Sequence, residues 1–210
     1  MKHLLVTLFS IIALNAQAAQ PRVEMQTSQG TIIIELYPDK APRTVENFLH
    51  YASNGFYDGT VFHRVINNFV IQGGGYTPDL SYKPTEAAIP NEATNGLLNE
   101  LGTVAMAHGP DPDSATSQFF INLDSNKFLN HYRKHPDYYG YTVFGKVVEG
   151  MDVVKKIAAT PTTASGVFKS GVPTEVILIQ RVAQLPSQDY LVTADSTVKP
   201  KGKSHGKAPN

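Results

Sequence analysis

The chain has 210 residues, 41% of them hydrophobic and 17% charged, with 18 basic side chains against 18 acidic ones. Such a balance excludes a chain too polar to fold, and it excludes a protein built as a whole to bind a polyanion such as nucleic acid. Cysteine is absent, which removes disulfides, thiol chemistry and a lipidated cysteine from consideration.

Residues 1–18 read as a cleaved secretory signal peptide. Lys2 supplies a positive start, Leu4 to Leu14 is apolar apart from Thr7 and Ser10, and Ala16-Gln17-Ala18 has small residues where a signal peptidase reads. The apolar run is about half of the roughly 20 residues a membrane span requires, so an uncleaved anchor is the weaker alternative. No second stretch is long enough to span a membrane.

Arg22–Thr27 and Thr31–Tyr37 are rich in strand formers, and Ser28-Gln29-Gly30 between them is a tight hairpin signal. Ala41-Pro42 opens a helix, with proline in the first turn, where its missing N–H costs nothing. Val45, Phe48, Leu49 and Ala52 fall on one helical face, and Asn54-Gly55 ends the helix. Short apolar runs follow at 61–66, 69–72, 103–107, 118–122, 142–148 and 175–182, with a second short helix at Met151–Ile157. Eight strands and two helices result. Many short strands with Gly/Pro turns point to a sandwich or a closed barrel, and the pattern alone does not choose between them. From about Ala183 large apolar residues become scarce. Residues 184–210 read as a disordered, mildly basic tail, with four lysines against Asp189 and Asp195, beyond a single domain over 19–183.

Three segments place polar side chains inside apolar strands: Phe62-His63-Arg64-Val65-Ile66, Phe69-Val70-Ile71-Gln72 with Gly73-Gly74-Gly75 after it, and Ser117-Gln118-Phe119-Phe120-Ile121-Asn122. An unpartnered buried polar group is costly, so each needs a structural partner or a function. Strand alternation puts Phe62 with Arg64 on one face and His63 with Val61 and Val65 on the other. It likewise pairs Phe69 with Ile71, and Val70 with Gln72. Residue types alone suggest a pocket for an apolar ligand carrying carbonyl acceptors, such as a peptide, and name no reaction.

These segments closely resemble the cyclophilin family over about Val23 to Val182. Asn47-Phe48, Gly59 to Ile66, Phe69 to Gly74, Asn91-Glu92, Gly102 to Ala107, Ser117 to Ile121 and Val143 to Val147 carry the likeness. Asp113 to Gln118 and the stretch after Phe128 resemble bacterial periplasmic members most. The resemblance implies a mainly β fold, a closed eight-stranded antiparallel barrel capped by two helices. It implies peptidyl-prolyl cis-trans isomerisation in exported proteins, with no covalent step and no cofactor or metal. The implied partners are proline-containing segments of unfolded or partly folded exported proteins, and the chain is expected to be monomeric and periplasmic, with secretion as the alternative. A proline-peptide-binding chaperone module with incidental catalysis is the second reading.

By the same resemblance the catalytic residues are Arg64 and Gln72, with Phe69, Val70, Ala107, His108, Gln118, Phe120, Phe128, Leu129 and Tyr141 binding substrate. Phe69, Val70, Phe120 and Leu129 would grip the proline ring, and Gln72 would hold a substrate carbonyl. Val70 stands where methionine is frequent, Phe128 where many eukaryotic members have tryptophan, Tyr141 where histidine is frequent and His108 where asparagine is common. The tryptophan change implies weaker cyclosporin binding. His63 reads as a hydrogen-bonded structural histidine, and Gly73-Gly74-Gly75 as a tight turn rather than a phosphate loop, since no Lys-Ser/Thr end follows. His131 and His135 have helical i,i+4 spacing, but Pro136 follows and no third metal ligand is evident.

Overall fold

The computed structural model describes residues 20–186. The signal-peptide expectation over 1–18 and most of the tail expected over 184–210 lie outside the described residues.

Strand β1 (Arg22–Thr27) turns through Ser28-Gln29 into β2 (Gly30–Leu36), with Thr27 opposite Gly30. Along β1 the buried residues Val23 and Met25 alternate with half-exposed ones, the period-two signature of a sheet with one face on a core. Next come β3 (Thr60–Ile66), β4 (Val70–Gly73), β5 (Thr103–Met106), β6 (Phe119–Asn122) and β7 (Val143–Glu149), and finally β10 (Leu178–Gln184). These eight close into an antiparallel barrel in the order β1-β10-β3-β4-β6-β5-β7-β2. Closure leaves no free sheet edge and decides between the two architectures the strand pattern allowed.

Helix α1 (Pro42–Ser53) buries Val45, Phe48, Tyr51 and Ala52, with Leu49 packed at the margin of the same cluster. Its N-cap is Ala41, whose side chain cannot satisfy the free amides of the first turn. Glu92 does so from a distant loop, accepting from the backbone amides of Arg43 at 3.1 Å and Thr44 at 2.9 Å and from Thr44 Oγ1 at 2.7 Å. Helix α2 (Met151–Ala158) buries Val154, Ile157 and Ala158. Among the described residues no helix is long and apolar enough to cross a membrane.

Two further strands, β8 (Thr162–Ser165) and β9 (Phe168–Pro173), form a hairpin outside the barrel, against β3. They leave no mark in the residue pattern because their residues are mostly exposed and show no alternation.

The side chains divide into two apolar clusters. Inside the barrel lie Phe62, Val65, Ile71, Val104, Met106, Phe119, Ile121 and Phe144 with the buried faces of both helices. Outside, Val70, Ala105, Phe120, Leu129 and Val143 form a smaller cluster joined by Phe69, Ala107 and Tyr141. The second cluster is the floor of the site.

Candidate active site

A β-bulge in β3 determines where Arg64 points. Phe62 is opposite Gly73 and Arg64 is opposite Gln72, so β3 uses one more residue than β4 between the two pairs. The extra residue is His63. Strict alternation put Phe62 and Arg64 on one face. The bulge separates them: Phe62 joins the barrel interior, while Arg64 turns outward beside Gln72. Phe69 also departs from alternation. It sits in the turn before β4 and joins Val70 in the outer cluster, while Ile71 faces the interior.

Arg64, Phe69, Val70, Gln72, Ala107, His108, Phe120, Leu129 and Tyr141 line one pocket of about 160 Å³. Val70, Phe120 and Leu129 are buried at its base. The Tyr141 ring stacks on His108 at 4.2 Å and meets Phe120 edge-on at 5.5 Å, so it contributes a wall through its ring. The two ring nitrogens of His108 lie 2.7 Å from the Gly109 carbonyl and 3.0 Å from that of Gly140. Gln118 lines an adjoining depression shared with Gln72, Ala107 and His108. Phe128 is 75% exposed and stacks on Phe69 at 5.5 Å, extending the apolar surface past the rim.

A polar chain crosses the rim. Arg64 Nη1 lies 3.4 Å from Gln72 Oε1, and Gln72 Nε2 donates to Gln118 Oε1 at 3.0 Å. The guanidinium also sits 5.9 Å from the centre of the Phe69 ring. Among the described residues no carboxylate pairs with Arg64, so the alternative of a structural ion pair finds no partner there. The result is a permanently charged donor with free N–H groups beside an apolar pocket.

A family model described as cyclophilin type peptidyl-prolyl cis-trans isomerase/CLD matches residues 22–184. The chain belongs to that family. Among curated relatives, a peptidyl-prolyl cis-trans isomerase of Streptomyces antibioticus is 54% identical over 158 residues, 75% of this chain and 95% of the relative. One from Acinetobacter baylyi is 49% identical over 182 residues, 86% of this chain and 95% of the relative. Peptidyl-prolyl cis-trans isomerase B of Escherichia coli is 51% identical over 160 residues, 76% of this chain and 97% of the relative. Among solved structures, a Cryptosporidium parvum cyclophilin in the presence of the dipeptide Ala-Pro superposes with a TM-score of 0.66 at 27% identity, covering 79% of this chain and 99% of that one. This cyclophilin is therefore an isomerase of Xaa-Pro peptide bonds, and its barrel with two helices is the family's fold.

His63, Gly73, Gly74, Gly75, His131 and His135 of the cyclophilin chain do not line this pocket. His63 is 2% exposed, with its ring 4.5 Å from that of Tyr76 and 5.3 Å from that of Phe168. It is buried as expected of a structural histidine, yet its Nδ1 finds no partner. Burial pulls its pKa down to about 4, with the Arg64 charge acting the same way and the Val61 backbone opposing. Gly73-Gly74-Gly75 makes room for its neighbours: a β-carbon at Gly73 would come 3.0 Å from the Phe62 ring and one at Gly74 2.8 Å from that of Phe119. His131 and His135 do not share a helix face, because the segment between them is irregular. His131 Nδ1 faces the Tyr139 carbonyl at 2.7 Å, and His135 Nδ1 lies 3.7 Å from Asp137.

Proposed function

We propose that this isomerase binds the proline ring in the pocket walled by Phe69, Val70, Phe120 and Leu129, and that Arg64 stabilises the twisted prolyl amide without any covalent step. The observation that carries this reading is the position of an unpaired guanidinium at the edge of an apolar pocket. Resonance makes the Xaa-Pro bond a partial double bond, with a barrier of about 18–20 kcal/mol. As the bond twists, conjugation is lost and the prolyl nitrogen gains a lone pair. A guanidinium N–H can donate to that lone pair, which exists only in the twisted state, so the interaction lowers the barrier rather than merely holding substrate. Shortening isomerisation from tens of seconds to milliseconds takes about 5–6 kcal/mol. One hydrogen bond to a charged group contributes about 1.5–3 kcal/mol, so exclusion of water and orientation of the amide beside the guanidinium supply the remainder.

Gln72 has both ends of its amide engaged, Oε1 by Arg64 and Nε2 by Gln118. Its role in this scheme is to orient Arg64. Donors remaining for a substrate carbonyl are Gln118 Nε2 and the second N–H of Gln72 Nε2. Ala107, His108 and Tyr141 flank the residue before proline, and Phe128 and Phe69 offer rings to side chains beyond it.

Substrates are proline-containing segments of exported, partly folded proteins, in this reading, and the enzyme works as a monomer in the periplasm. The support is the sequence of residues 1–18, with its positive start, apolar run and Ala16-Gln17-Ala18 end. The test of the site is the isomerisation rate of an Ala-Pro-Phe peptide with the mature domain and with Arg64→Ala. A folded variant that loses most of the acceleration supports Arg64 as catalyst; a folded variant with the wild-type rate refutes it. Fractionation of cells expressing the full chain tests the location, since cytoplasmic retention of the uncleaved chain would overturn it.

A further inference from the structure

Three walls of the pocket lie off the strands. Phe69 precedes β4, Leu129 closes the short 3-10 turn Lys127–Leu129, and Tyr141 lies just before β7. Beneath them runs a relay of three buried asparagines, Asn99, Asn122 and Asn126. Asn126 Nδ2 donates to Asn122 Oδ1 at 2.8 Å and to the Phe69 carbonyl at 3.0 Å. Asn122 Nδ2 donates to Asn99 Oδ1 at 3.1 Å and to Thr103 Oγ1 at 2.9 Å. Asn99 Nδ2 faces the carbonyls of Leu129 at 3.1 Å and Tyr141 at 3.3 Å, together with Asn130 Oδ1 at 3.2 Å.

The relay is directional. Turning over any one of its amides would set oxygen against oxygen where it now donates, and at Asn122 and Asn99 nitrogen against nitrogen where they now accept, so each asparagine fixes the next. Asn122 is the middle link and is fully buried. It shares the outer face of β6 with Phe120, where an apolar residue would satisfy the barrel. A buried amide is tolerated only when paired, and here the pairing ends on the backbone of three pocket walls.

We infer that Asn122 is a positioning residue for the isomerase reaction: through Asn126 and Asn99 it sets the spacing of Phe69, Leu129 and Tyr141, and hence the width of the pocket that receives the proline ring. The inference rests on reading that pocket as the proline site. Asn122 touches no substrate. Its loss weakens the grip on the ring in the ground and twisted states alike, which raises KM more than it lowers kcat.

The decisive variant is Asn122→Asp in the full chain, with Ala-Pro-Phe peptide isomerisation followed against pH. An ionised carboxylate still accepts from Asn126 but cannot donate to Asn99. Once protonated it donates again, and burial raises the pKa at which this happens. Above neutrality KM should rise about tenfold with kcat within about threefold of wild type. As pH falls, KM should return towards the wild-type value measured at the same pH. Val154→Ala, in the interior core, is the stability control and should lower Tm while leaving KM unchanged. If Asn122→Asp does not fold, Asn126→Ala takes its place and should raise KM with kcat held. An unchanged KM in the folded variant, a pH-independent rise, or an equal rise in Val154→Ala overturns the inference. Phe120→Ala separates this failure from failure of the pocket itself. A raised KM there with unchanged relay variants sinks only the relay, whereas an unchanged KM there sinks the proline-pocket reading.

Discussion

A β-carbon on Gly75 would overlap Cγ of Gln118, so the missing side chain at position 75 is what lets Gln118 lie across the strand ends and reach Gln72. The φ of Gly75 lies outside the left-handed region, so alanine there is acceptable to the backbone and the conflict falls on the Gln118 side chain alone. Gly75→Ala should therefore displace Gln118 and release Gln72 from one of its two partners. The expected outcome is a fall of about three- to tenfold in kcat/KM, the worth of one hydrogen bond, with little change in Tm. Peptide isomerisation with parallel thermal melts measures both. Full activity in Gly75→Ala would show that the Gln118 contact does not support catalysis.

Arg64→Lys keeps the positive charge but loses the planar fork. An ammonium on a flexible stem cannot hold Gln72 and face the pocket together, as the guanidinium can. The variant should lose about a hundredfold in kcat/KM, close to the loss in Arg64→Ala, because placement of the donor matters more than charge alone. Lysine activity near wild type would assign the effect to the electrostatic field of the site instead.

The legible and illegible parts of the chain differ in physical kind. All eight barrel strands could be found because one face of each meets a core, which leaves alternation or an apolar run in the sequence. The site residues could be named because the motifs around Arg64, Gln72 and Phe120 resemble a known family. The faces of β3 were misassigned because period two holds only in an unbroken ladder, and the bulge at His63 carries no mark of its own. The β8–β9 hairpin was invisible because exposed Thr162, Thr163 and Ser165 contact too little to show a pattern. The asparagine relay joins residues 23 and 4 positions apart on loops and a strand end, and the shorter, helix-like spacing falls where the chain forms no α-helix. The engagement of Gln72 at both ends of its amide depended on orientation, which residue type does not encode.

Glu92 caps α1 from a distance, and that contact should appear in stability rather than in turnover. Glu92→Ala leaves the amides of Arg43 and Thr44 without their acceptor and removes a negative charge from the helix N-terminus. The loss should be about 2 kcal/mol, the upper part of the range for N-cap removal. Urea denaturation measures it. The kcat of the folded variant should stay within about twofold of wild type, since Glu92 does not line the pocket. A variant as stable as wild type would mean that solvent replaces the cap.

His63 makes the stability of the barrel depend on pH in a defined direction. Its pKa falls from 6.5 to about 4 on folding, chiefly because burial disfavours the charged ring. The unfolded chain therefore binds the proton more tightly than the folded one. The stabilisation tied to a neutral His63 is fully present above about pH 6.5, declines as pH drops, and is gone below about pH 4. The difference amounts to about 3 kcal/mol across that window. His63→Gln removes the titration while keeping a polar side chain of similar reach. Other groups titrate in both proteins, so the informative quantity is the wild-type stability minus that of the variant, measured by urea unfolding near neutrality and again in mild acid. That difference should shrink on acidification. A difference that stays constant would mean that His63 is protonated equally well in both states, through solvent reaching the ring between Tyr76 and Phe168.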